Sequence, residues 1–143
     1  MTTVAQVLQN KKNVETSTIP PSATVLEAIR LMSSNSIGAI VVVESEKVVG
    51  ILSERDYTRK VALMHRKSDQ TLVSDIMTSN VISISRSHTV DDCLSLMTER
   101  HIRHLPVVEN EQLIGIVSIG DLVKATMQDQ KVLIEQLQQY ISS

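Results

Sequence analysis

Two stretches of the chain carry the same rhythm of apolar and polar residues. From Thr24 the apolar positions fall at Val25, Ala28, Ile29 and Met32, and from Thr89 they fall at Val90, Cys93, Leu94 and Met97. This i, i+3, i+4, i+7 spacing predicts an amphipathic helix in each. Each opens on a hydroxyl with a carboxylate three residues on, Thr24 with Glu27 and Thr89 with Asp92, the signature of a capping box. Two short apolar runs follow, AIVVV and VVGIL in the first stretch, LPVV and LIGIV in the second. Their length and β-branched content predict strands, and the polar links ESEK and ENEQ predict hairpin turns. Before each helix a short run, TSTI ending at Ile19 and VISI ending at Ile84, adds one more strand. A second helix is predicted to start within GILSERD, Gly50 to Asp56, and within GIVSIGD, Gly115 to Asp121.

These matches are one duplication. A shift of 65 positions aligns Thr24–Asp56 with Thr89–Asp121 without a gap, with 13 of 33 positions identical. The fold class is therefore α/β (α+β), built from two pseudo-symmetric β-α-β-β-α units, 1–65 and 72–143, joined by a polar, basic linker from about His65 to Thr71. VAQVL at Val4–Leu8 and VSDIM at Val73–Met77 predict a short leading helix in each unit, at an offset of 69, which places a small insertion in the first. Half a sheet with helices on one side cannot bury both faces, so the units are expected to pack through their sheets around one core. After Asp121 the chain is predicted to run helically to its end, with Leu133, Leu137 and Tyr140 on one stripe available for self-association.

Charge and composition remove several functions. A net charge of −2 gives no general attraction to nucleic acid or an anionic membrane, and no apolar run approaches the roughly 18 residues of a membrane span. The opening MTTVAQVLQNKK lacks the apolar core of a signal peptide, so the expected location is cytoplasmic. Cys93 stands alone and aligns with Ala28, which marks it as a small core residue. His65, His88, His101 and His104 show no metal-ligand spacing, so no metal and no enzymatic activity are expected. With no Phe or Trp, a bound base must be held by aliphatic side chains and backbone.

Both copies of the closing motif read G-x-x-S-x-x-D. A capping box accounts for Ser53 with Asp56 and for Ser118 with Asp121. It does not account for Gly50 and Gly115, which stand inside apolar strands, where glycine often marks a bulge or the close approach of a ligand or of another backbone. A helix start with free amides attracts a phosphate, and the serine adds a donor. The aspartate would repel that phosphate but accepts bonds from vicinal hydroxyls. Serine for phosphate and aspartate for ribose imply a nucleotide.

GILSERD and GIVSIGD, together with NSIGAIVV, SERDYTRK, RHLPVV and GIVSIGDLVK, resemble the closing motifs of two cystathionine β-synthase (CBS) domains in tandem, a Bateman module. The resemblance covers nearly the whole chain and is to small stand-alone bacterial CBS-pair proteins. It implies pairing through the strands, a frequent dimer of pairs, and an adenine nucleotide (AMP, ADP, ATP or NAD) in the cleft, with the change passed to a downstream protein. It carries the ribose role to Asp56 and Asp121 and the phosphate role to Ser53 and Ser118. The adenine positions become Thr18, Ile19, Ile37 and Ala39, and likewise Ser83, Ile84, Ile102 and His104.

The copies differ. Arg55 stands beside the first serine where the second has Gly120, whereas Gly38 and Ala39 are replaced by Arg103 and His104. Arg55, Arg103 and His104 are expected to converge on one phosphate region, suited to a polyphosphate or a dinucleotide. Arg59, Lys60, Arg66 and Lys67 are expected to form a solvated face. The competing expectation is a ligand-free interaction homodimer in which the motifs act only as caps.

Overall fold

The computed structural model describes residues 1–11 and 16–142. In chain order its elements are α1 (Val4–Asn10), β1 (Thr18–Ile19), α2 (Val25–Asn35), β2 (Ala39–Glu44), β3 (Lys47–Ser53), α3 (Glu54–Tyr57), a π-helical turn (Thr58–Ala62), α4 (Val73–Ile76), α5 (Val90–Arg100), β4 (His104–Glu109), β5 (Gln112–Ser118) and α6 (Ile119–Ser142). The fold is mixed α/β, and the predicted helices and hairpins stand where the periodicity put them.

Two compact units form, and neither is a continuous stretch of sequence. One comprises 16–82 with 110–113, the other 1–11, 83–109 and 114–142. The leading helices account for the exchange. In the second unit Val4 N–H donates to the His88 carbonyl (2.8 Å) and Val90 N–H to the Thr2 carbonyl (3.0 Å), so α1 docks at the start of α5. In the first unit Val73 N–H donates to the Ala23 carbonyl (2.8 Å) and Val25 N–H to the Thr71 carbonyl (2.8 Å), which docks α4 at the start of α2. These bonds satisfy first-turn amides that would otherwise be orphaned. The segment read as a linker is thus part of the first unit, with Thr71 buried.

The first unit holds a three-stranded sheet in the order β1-β2-β3, β1 parallel to β2 and β2 antiparallel to β3. Ile19, Val25, Ala28, Met32, Ile40, Val42, Leu52, Val61, Val73 and Ile76 form its core. The second unit keeps only the β4-β5 hairpin, and the strand expected at Ile84 shrinks to a single parallel bridge to Val107. Pro106 is the physical reason: its carbonyl accepts from Ile84 N–H (3.0 Å), but it has no N–H to give to a preceding rung. Cys93 is buried, and its thiol is pushed up to about 11 by burial first and by nearby Asp92 second, which fits a core residue and not a nucleophile.

The copies diverge after their S-x-x-D motifs. The first makes one α-helical turn, then the π-helical turn. The second runs on as one long helix.

Both hairpins turn on two residues with positive φ, Ser45 and Glu46 (52° and 66°) and Asn110 and Glu111 (51° and 65°). Two such residues define the type I′ turn that matches strand twist, where the second place prefers glycine. Replacing Glu46 or Glu111 by glycine is expected to raise stability by about 0.5–1 kcal/mol each, read as the urea midpoint, because the left-handed penalty exceeds the entropy glycine adds to the unfolded chain.

Candidate functional site

The β2·β3 ladder assembles the first unit's motif. Ala39 lies opposite Ser53, and β1 runs on the other side of β2 with Thr18 opposite Val41. Ser53 ends β3 and caps α3. Its hydroxyl accepts from Asp56 N–H (3.2 Å), while Asp56 Oδ2 accepts from Ser53 N–H (3.0 Å) and from the Ser53 hydroxyl (3.1 Å). Asp56 Oδ1 faces Lys60 Nζ (3.4 Å) and the Thr78 hydroxyl (3.5 Å). Lys60 Nζ also donates to the Ile76 carbonyl (2.9 Å). Lys60 is exposed, as expected of a solvated face, and it is also a partner of the motif.

The second unit repeats the box. Ser118 Oγ accepts from Asp121 N–H (3.1 Å) and Asp121 Oδ2 from Ser118 N–H (2.9 Å). Here the cation is the C-cap of α1: Lys11 Nζ lies 3.0 Å from Asp121 Oδ2 and donates to the Ile116 carbonyl (2.7 Å). Burial pushes the Asp121 carboxyl up, but the Ser118 N–H, the Lys11 ammonium and the Ser118 hydroxyl together outweigh it and hold the group below the usual carboxylate range. A half-buried carboxylate is thus kept ionised. Lys11 was missed by sequence reasoning because it lies far from Asp121 in the chain and its counterpart at offset 69 is Asn80.

Two expectations about the motifs change. Two first-turn amides of each motif are engaged, not free: Glu54 N–H donates to the Gly38 carbonyl (3.0 Å), Ile119 N–H to the Arg103 carbonyl (2.9 Å), and the Asp amides go to their serines. The glycines answer to packing by protein. A Cβ on Gly50 would stand 2.5 Å from Met77 Sδ and 3.1 Å from the Thr78 carbonyl, and one on Gly115 would stand 2.8 Å from Leu8 Cδ2. Met77 follows α4 and Leu8 lies in α1, so each closing strand is approached by the leading helix docked in its unit.

Of the residues assigned to adenine, Ile19, Ala39 and Ile84 are buried, Ile37, Ile102 and His104 are half-buried, and Thr18 and Ser83 are exposed. Arg55, Arg103 and Gly120 are exposed. The second unit has a pocket of about 560 Å³ between α1 and α6, lined by Val7, Asn10, Lys11, Asp121, Lys124 and Gln128 among others. Of the predicted site residues it takes in Asp121 alone.

Two repeats, each pairing a helix with a β-hairpin closed by an S-x-x-D capping box, are the structural form of the duplication. The CBS domain family matches the chain over residues 4–63 and 73–128, and the chain belongs to that family. It is 36% identical to the CBS domain-containing protein CBSX3, mitochondrial, of Arabidopsis thaliana, over 98% of this chain and 72% of that protein. A candidate signal-transduction protein with CBS domains from Burkholderia ambifaria matches its structure with a TM-score of 0.87 at 46% identity, covering 90% of this chain and 96% of that one. At the level of fold, the CBS domain pair of protein MJ0100, solved with 5′-methylthioadenosine and S-adenosyl-L-methionine, aligns with a TM-score of 0.79 at 24% identity, over 90% and 98% of the two chains. No helix among the described residues is long and apolar enough to cross a membrane.

Proposed function

We propose that the protein is a non-catalytic sensor that binds an adenine nucleotide at its S-x-x-D motifs and passes the change to a partner protein as a homodimer. The observation that carries this reading is Asp121: half-buried, ionised, and set beside Lys11 at the wall of a pocket. A ribose presents two vicinal hydroxyls, which a carboxylate accepts together. The Ser118 amide and Lys11 both fall on Oδ2, so Oδ1 is the oxygen for a ribose donor, while Lys11 supplies charge for a phosphate tail. In the first unit Asp56 and Ser53 take the same roles, with Lys60 and Arg55 as the cations. Ile19, Ile37 and Ala39, and in the second unit Ile84 and Ile102, are the aliphatic surroundings of a base in a chain without Phe or Trp. The adenosine compounds bound by MJ0100 belong to that chemical class.

The phosphate must compete for the serine hydroxyls, since Ser53 Oγ already accepts from one group and donates to another. The test is a thermal-shift titration with AMP, ADP, ATP and NAD. A nucleotide at about 100 times its Kd should add roughly 2.7 kcal/mol of stability. If all four leave the melting temperature unmoved, the sensing reading fails.

A second reading is favoured by specific observations: the capping boxes are complete, and packing alone explains both glycines. On that reading the motifs are structural and the surface is for protein partners, so no nucleotide shifts the melting temperature.

A further inference from the structure

α6 outruns the body that supports it. Leu122 is its buried residue, Thr2 Oγ1 donates to Asp129 (2.7 Å), and from Met127 to Ser142 every residue is exposed. That projecting part is roughly 24 Å long at 1.5 Å per residue, and an isolated helix of this length is marginal in water. Burial against a partner would stabilise it.

The sequence of the projection says what covers it. Met127, Ile134 and Ile141 recur every seven residues, with Val123, Gln130 and Leu137 interleaved between them. This is an a/d heptad seam, and Met127, Ile134, Leu137 and Ile141 are all more than half exposed. A heptad seam matches another copy of itself, since both helices then present knobs and holes at the same period. A membrane surface fits poorly, because from Met127 onward the charges are Asp129, Lys131 and Glu135, with no basic face for anionic lipid.

We infer that α6 of one chain pairs with α6 of a second copy in a parallel, in-register, two-stranded coiled coil along Val123, Met127, Gln130, Ile134, Leu137 and Ile141. Ile at a with Leu at d favours two strands. Gln130 selects the direction. In the parallel register it meets its own counterpart and the two amides bond to each other, whereas in the antiparallel one it faces an apolar Ile134 and stays unpaired in the seam. The antiparallel register also sets Lys131 against itself. This inference rests on the homodimer part of the proposed function and is independent of the nucleotide.

The test uses the full chain. Sedimentation velocity should show a dimer or a multiple of it, and Ile134→Asp with Leu137→Asp should weaken self-association by about 100-fold or more while far-UV circular dichroism keeps the folded signature of the body. In a Cys93→Ala background, Gln130→Cys should cross-link to a dimer on oxidation and Lys131→Cys should not. A monomeric wild-type chain overturns the homodimer reading itself. A dimer that survives the double aspartate variant unchanged overturns the seam alone, and cross-linking through position 131 instead of 130 overturns its direction.

Discussion

Asp121→Ala is expected to abolish the nucleotide-dependent rise in melting temperature, whereas Asp56→Ala leaves much of it. Asp121 holds the closer ion pair, 3.0 Å to Lys11 against 3.4 Å from Asp56 to Lys60, and it lines the pocket. Losing hydrogen bonds to a charged acceptor costs about 1.5–3 kcal/mol of binding, on the order of a 10- to 100-fold weaker Kd by calorimetry. If the motifs are only caps, both variants lose about 1 kcal/mol of stability and neither has any ligand effect to lose. Comparable ligand losses from both would instead overturn the asymmetry between the sites. The same carboxylate sets a pH signature. Its pKa in the folded protein lies below its unfolded value, so the stability it contributes is fully present above about pH 4 and is lost as pH falls through the folded value. Asp121→Asn should be less stable near neutrality, and urea midpoints from pH 7 to pH 3 should show its deficit narrowing at the acid end. A deficit independent of pH would mean that the charge is not what the fold uses.

Local features were legible in the sequence. Thr24 with Glu27 and Thr89 with Asp92 are reciprocal caps in the structure, with bonds of 3.0 to 3.3 Å, because a capping box is encoded within four residues. The turns at ESEK and ENEQ were legible for the same reason. What the sequence hid is long-range. The identity of Lys11 as the partner of Asp121 depends on α1 docking against the second repeat's elements, which no periodicity records. The glycines were legible as close-approach positions, but the approaching group, Met77 or Leu8, depends on which leading helix serves which unit. Pro106 was a visible signal that the strand at Ile84 would be cut short, since a residue without N–H cannot extend a ladder.

Gly50→Val is expected to destabilise the first unit by about 3 kcal/mol, and Gly115→Ala to cost the second only about 1 kcal/mol. Part of the difference is the larger side chain of valine, and the rest lies in what each glycine faces, since both sit at the same place in the repeat. Beside Gly50 the nearest atoms are a methionine sulfur and, behind it, the Thr78 carbonyl, which Ile51 holds through paired bonds of 3.0 and 2.9 Å and which cannot retreat without breaking that bridge. Beside Gly115 all three nearest atoms belong to the tip of Leu8, which can move to another rotamer. Adding Leu8→Ala to Gly115→Ala should therefore recover part of the loss, giving a favourable coupling in the double-mutant cycle, while adding Met77→Ala to Gly50→Val should recover less because the carbonyl remains. Urea denaturation of the four single variants and two double variants reads these values. Had the glycines served the approach of a ligand, the variants would fold with unchanged midpoints and lose only nucleotide binding, so a silent stability scan would return them to that role.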